Sequence, residues 1–302
     1  MRGRTEWRAA LAMLAGMAGV GLASGRELSL FFAQLGEAAW AGILMASALF
    51  GLLTGCAVWR GPSPAICAAP LERLCETLRL LLAAVVAVFM LYSLGEVGAL
   101  TLPLPHGWAF GAAFGLLAAL CLTRLKAHWL PGLVVLLYVG GFCAANAVDP
   151  RPTRLHIHGC TEFVLAGNIP AALLLAALYA ALTACAGNWS LSRLHTGAVR
   201  PAALGVRAAG LLCILLCLAN LALLRGGNAV IAHPMPWVAL SARWGLAGFW
   251  LCAGLKAACA VTTLSAALST LLPGIKHHRF RAVIMLVVGV ITFVLMMYCA
   301  KT

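Results

Sequence analysis

Four ionisable side chains fall inside long apolar stretches of the sequence: Arg26, Glu27, Glu96 and Lys256. A charge at the centre of a bilayer costs a few kcal/mol on insertion scales, so each of the four needs a partner or a water-filled path. Glu27 ends Ser24-Gly25-Arg26-Glu27, a serine followed three residues on by a glutamate and then by a largely apolar run to Leu35, the sequence form of a capping box. Arg26 and Glu96 lie toward the same outer end of their segments, and the expectation is that they pair as an outer gate. The alternative is that Glu96, one turn from its helix end, reaches water. Tyr92 precedes Glu96 by one turn on the same face and either reaches a cavity or packs. Lys256 lies deeper, nearly two turns before Thr262. A buried lysine gives up its proton readily and would serve in proton-linked transport, or else it is half of a buried ion pair.

Just before Ser24 stand Gly16, Gly19 and Gly21. Glycine weakens a helix by about 1 kcal/mol relative to alanine, so the first segment is expected to open over these residues and restart after Ser24. Broken backbone at membrane depth is tolerated only where protein or a water-filled cavity covers it, which points to a binding site. The restarted half-helix, with Ser24, Gly25 and Arg26 at its start, would offer N–H groups to a carboxylate or other anion. The carbonyls from Gly19 through Val20 and Gly21 to Leu22 would offer oxygen to a small cation. An intact helix with a glycine-rich packing face is the competing reading.

The surrounding elements follow from composition. Hydrophobic residues make up 63% of the chain, charged ones 10%, and the mean hydropathy is +0.99, which excludes an ordinary soluble domain. Apolar segments recur at about 8–35, 38–59, 80–100, 108–122, 130–148, 163–186, 203–224, 237–271 and 282–300, each long enough for a hydrocarbon core of roughly 30 Å. The expectation is therefore an all-α, polytopic transmembrane bundle of about nine spans in one domain, 1–302. A short surface helix is expected near 71–78, and the eighth segment is long enough to tilt or to extend beyond the bilayer. The basic start of the chain also has the form of a secretory signal, but the hydrophobic length continues past Arg26-Glu27 toward a full span.

The net charge of +13 is spread over short loops without a basic face, so nucleic acid is not an expected partner; the lipid bilayer is. With the N-terminus inside, fourteen of the 21 Lys and Arg fall on the cytoplasmic side and five outside, leaving Arg26 and Lys256 within spans. This asymmetry places the N-terminus in the cytoplasm and, with nine spans, the C-terminus outside. The 12 cysteines lie mostly within apolar segments and read as small hydrophobes. The polar loop His156-Ile157-His158-Gly159-Cys160-Thr161-Glu162 carries metal-ligand residue types in no recognised zinc spacing. No triad, HExxH or phosphate-binding loop is present, so neither an enzyme nor a cofactor is expected. Gly167-Asn168-Ile169-Pro170 interrupts the sixth segment near its start and reads either as a second break or as an Asn-capped helix start. Two breaks entered from opposite sides, five segments apart, would form an inverted repeat of about 8–148 and 160–300 around a midplane site.

The stretch Gly19-Val20-Gly21-Leu22-Ala23-Ser24-Gly25-Arg26-Glu27-Leu28 is similar to the glycine-rich stretch opening the YkvI-like bacterial membrane proteins, relatives of the amino acid-polyamine-organocation transporters. Val261-Thr262-Thr263-Leu264-Ser265 resembles that family's Thr-Thr motif. The resemblance implies a LeuT-like plan of five plus five inverted helices in the bacterial inner membrane. It places substrate between the first and sixth helices, near Gly19, Gly21, Ser24, Gly25 and Arg26, and in sodium-coupled members an ion between the first and eighth helices, here Val20, Thr262 and Thr263. The buried ionisable residues, read for themselves, add Tyr92 and Glu96 to the candidate substrate site and Lys256 and Glu27 as coupling or gating groups. Threonines bonded back to their own helix are the alternative. The sequence departs from the plan in an apolar sixth segment, a missing tenth span and the lack of an acidic residue before the threonine pair. The function implied is secondary transport of small organic solutes such as amino acids or related amines, coupled to sodium or protons. A non-transporting sensor or assembly partner is the second reading, and the sequence leaves the oligomeric state open.

Overall fold

The computed structural model describes residues 2–60, 69–148, 167–191, 199–233 and 235–272. Every element among them is helical: α1 (Arg2–Gly21), α2 (Arg26–Phe31), a 3-10 turn (Ala33–Leu35), α3 (Ala38–Arg60), α4 (Ala69–Thr101), α5 (Gly107–Arg124), α6 (Leu130–Val148), α7 (Ile169–Leu191), α8 (Pro201–Gly226), α9 (Asn228–Ala232), α10 (Pro236–Ser241), a second 3-10 turn (Ala242–Trp244) and α11 (Gly245–Leu271). Seven helical stretches among the described residues are long and apolar enough to cross a membrane. Their outward faces carry bare apolar side chains such as Leu44, Phe89, Phe114, Leu137 and Leu174, a surface that hydrocarbon can cover and water cannot.

The first helix sits in the middle of this bundle. α1 packs against α6, α7, α8 and α11, and from Ala9 to Ala18 nearly every side chain is buried. Its charged beginning is fixed to α8: the Arg207 guanidinium pairs with buried Glu6, donates to the Gly3 carbonyl at 2.6 Å and lies 5.3 Å from the Trp7 ring centroid. Around this axis α3 lies along α7 and α8, and α4 along α5 and α11.

Two expectations are corrected and one open reading is decided. The surface helix near 71–78 is continuous with the third span, because α4 runs unbroken from Ala69 to Thr101. The second break is a helix start: Asn168 Oδ1 accepts the Ala171 N–H at 3.0 Å, and α7 then continues uninterrupted to Leu191. The eighth segment is divided, with α10 and a 3-10 turn leading through Gly245 (φ 59°) into α11. The ninth segment and the His156–Glu162 loop lie outside the described residues.

Candidate functional site

α1 ends and α2 begins inside the bundle, so the chain is irregular over residues 22–25. The opening lies after the glycines and not among them. Leu22 N–H still donates to Ala18 O at 2.9 Å, and α1 is helical through Gly21. Gly16 seats α1 against α7, where a Cβ would lie 2.6 Å from Ser190 Oγ and 2.7 Å from Ala186 O. Part of the glycine pattern is therefore a packing face, and the break follows it.

Gly19 has a different task. Its N–H donates to Thr263 Oγ1 at 2.6 Å, and that hydroxyl donates to Ala15 O at 3.3 Å. The threonine thus docks α11 onto α1 between the Gly19 N–H and the Ala15 carbonyl, within a stretch of α1 that stays helical. Only glycine leaves room, because a Cβ at position 19 would stand 2.8 Å from the Thr263 Cβ and Oγ1. Thr262 turns the other way and donates to Cys259 O at 3.0 Å, bonding back within α11. Of the expected cation ligands, the fold brings Thr263 onto α1 and leaves Thr262 on its own helix. The carbonyls of Gly19, Val20 and Gly21 lie in the last turn of α1, where a helix leaves its C=O groups without intrahelical donors.

Beyond the break, Gly25 adopts φ 74° and is the N-cap of α2, in place of Ser24. Ser24 Oγ accepts the Arg26 N–H at 3.0 Å and donates to Glu27 Oε2 at 2.8 Å. The expected serine–glutamate link is present, but it runs side chain to side chain and is not the reciprocal backbone exchange of a capping box. One consequence is that the chain's own carboxylate occupies the start of α2, where an anionic ligand was expected. Glu27 also lies within electrostatic reach of Lys256, Arg26, Tyr179 and Cys259.

Lys256 and Glu96 form the ion pair at the site: Nζ to Oε2 is 2.6 Å, with the lysine side chain 9% and the glutamate side chain 35% exposed. Glu96 is therefore joined to α11 and not to Arg26. The Arg26 guanidinium instead reaches the backbone after α9, donating to Ala232 O at 3.4 Å and His233 O at 3.5 Å. Tyr92 packs edge-on to Trp108 of α5, ring centroids 6.4 Å apart, one turn below Glu96.

Two further residues complete the site. Trp237 of α10 is fully buried; its indole N–H donates to Leu22 O at 2.8 Å, and its ring covers the bare face of Gly25, 2.7 Å from where a Cβ would be. Ser29 Oγ donates to Ile231 O at 2.9 Å, so α9 and α10 together cap the broken backbone. Tyr179 of α7, also buried, lies 5.4 and 5.0 Å from the Phe31 and Phe32 rings. The signal for Trp237 was present in the proline-flanked start of an eighth segment too long for one span. Tyr179, a single polar-tipped side chain in an apolar run, gave almost none.

Fold and surface together define a multi-pass helical membrane protein with its first helix broken inside the bundle. The sequence matches no protein-family model and no curated protein.

Proposed function

We propose that the protein is a secondary transporter of small organic solutes, amino acids or related amines, working by alternating access around the broken first helix. The observation that carries this reading is the junction of α1 and α2, where irregular backbone inside the bundle leads to Glu27, within electrostatic reach of the Lys256 that pairs with Glu96. Polar groups gathered at interrupted helices are the usual construction of solute and ion sites in transporters. The half-buried carboxylate of Glu27 at the start of α2 favours amine-bearing solutes over simple anions.

The packing pattern supports a LeuT-like inverted repeat within the single domain. The first helix of each half pairs with the first (α1 with α7), the second with the second (α3 with α8), and the third with the third (α4 with α11). The pairs are antiparallel where their glycines meet: Gly16 meets Ala186 while Gly187 meets Met13, and Gly51 meets Gly205 while Gly55 meets Pro201. A two-fold axis in the membrane plane produces this arrangement. Both threonine hydroxyls are occupied by backbone groups, which favours the acid–base cluster over a sodium site as the coupling element. The YkvI-like resemblance favours a bacterial inner membrane, and the distribution of Lys and Arg favours a cytoplasmic N-terminus.

The test is uptake by purified protein in liposomes with imposed proton or sodium gradients, across amino acids and amines. Accumulation of none of them removes the transport reading. Lys256→Ala protein that transports with an unchanged pH dependence removes the proton role. The uninterrupted apolar α7 favours the second reading, a sensor or assembly partner on the same scaffold. Solute binding without translocation would select it.

A further inference from the structure

A groove of about 470 Å³ runs between α3 and α8 on the outside of the bundle. It exists because the two helices approach too closely for side chains at one level and carry short ones beyond it. Gly51 and Gly205 meet backbone to backbone, a Cβ on either lying 2.5 Å from the other's carbonyl oxygen. Past this crossing Gly55, Cys56 and Ala202 are too small to fill the space, while Leu52, Trp59 and Val206 form open apolar walls.

We propose that this groove holds one acyl chain of an anionic phospholipid, with its headgroup held at the arginine-bearing end. The lining is almost wholly apolar, which suits hydrocarbon and gives water nothing to bond. Along α3 the lining runs from Ala48 to Trp59, roughly 16 Å at about 1.5 Å per residue, a length that suits the extended hydrocarbon of an acyl chain. Charge identifies the headgroup. Arg200, which is exposed, immediately precedes Pro201 of the groove lining, at the end where Gly55 of α3 packs on Pro201. Basic groups at the mouth of an interhelical groove are the standard recognition element for anionic headgroups. A second copy of the chain is a poorer occupant, because the glycine faces that would admit another helix are already used between α3 and α8.

The test is native mass spectrometry of the full-length protein in detergent, titrated with dioleoyl phosphatidylglycerol or dioleoyl phosphatidylethanolamine. Wild-type protein should retain phosphatidylglycerol about fivefold more tightly, as expected for one basic contact near a headgroup. Arg200→Gln should abolish that preference, and Ala202→Trp, which fills the groove from an exposed position, should abolish the tight adduct. Val206→Trp, at a residue 73% exposed, makes the same test should Ala202→Trp not fold. Equal retention of the two lipids by wild-type protein overturns the proposal, as does unchanged phosphatidylglycerol binding by a folded groove-filling variant. Oxidative cross-linking of Cys56 between two copies would also overturn it, making the groove an interface between copies. None of these readouts depends on transport.

Discussion

Lys256 illustrates how a single residue acquires its meaning from a partner 160 positions away in the sequence. A lone buried ammonium would lose several kcal/mol of hydration, and the Glu96 carboxylate at 2.6 Å offsets that loss. In a double-mutant cycle of Lys256→Met and Glu96→Gln, thermal unfolding in detergent should show a coupling of roughly 1–3 kcal/mol, the range for residues in direct ionic contact. Additive effects would mean that the pair contributes nothing and that Lys256 depends on Glu27. At Gly19 the constraint is steric. Gly19→Ala should destabilise the protein by about 1–3 kcal/mol through overpacking against Met90 and Thr263, and Thr263→Gly, which removes the Cβ in contact, should recover part of the loss in the double variant. Equal recovery by Thr262→Gly, whose hydroxyl bonds within α11, would refute the contact.

At the scale of elements, the broken helix is stable only because α10 covers it. Four residues of irregular backbone, 22–25, leave carbonyls that lipid cannot satisfy, and the Trp237 indole supplies one donor at Leu22. Trp237→Phe keeps the ring but leaves that carbonyl unpaired, so thermal stability should fall by about 1–3 kcal/mol. Trp237→Ala, which also empties the volume over Gly25, should cost about 3–5 kcal/mol. If Trp237→Phe matches wild type in unfolding, the hydrogen bond to Leu22 is not what holds α10. The same contact explains why the break sits after Gly21 and not within the glycines. Gly16 and Gly19 are used for close approach by α7 and α11, whereas Gly25, at φ 74°, makes the turn.

For the molecule as a whole, the charge distribution predicts that the turn at 125–129 faces the cytoplasm and the turn at 102–106 faces outward. Alkaline phosphatase and green fluorescent protein fusions at the two turns should report opposite compartments, and a common compartment for both would overturn the orientation. The α1–α7, α3–α8 and α4–α11 pairings belong to this scale as well. The last of them brings Lys256 of α11 to Glu96 of α4, although the two elements are far apart in sequence.

Seven of the nine expected spans, the second to the eighth, were legible in the sequence, because a membrane segment is defined by length and hydropathy, both local properties. The fifth segment, read as 130–148, is α6 at Leu130–Val148, and the second, read as 38–59, ends one residue short of α3. The link between Ser24 and Glu27 was legible for the same reason: three residues of separation suffice to bring them together. Pairing across elements was not. Glu96 was matched to Arg26 because both lie near the same end of their helices, but which charges meet depends on helix rotation and neighbour choice, and these placed α11 beside α4. Asn168 was ambiguous because a cap and a break share one residue pattern until the backbone before it is given a direction. Trp237 and Thr263 gained their roles only when distant segments were laid against α1, since a glycine gap in one helix and the side chain that fills it carry no mark of each other in the sequence.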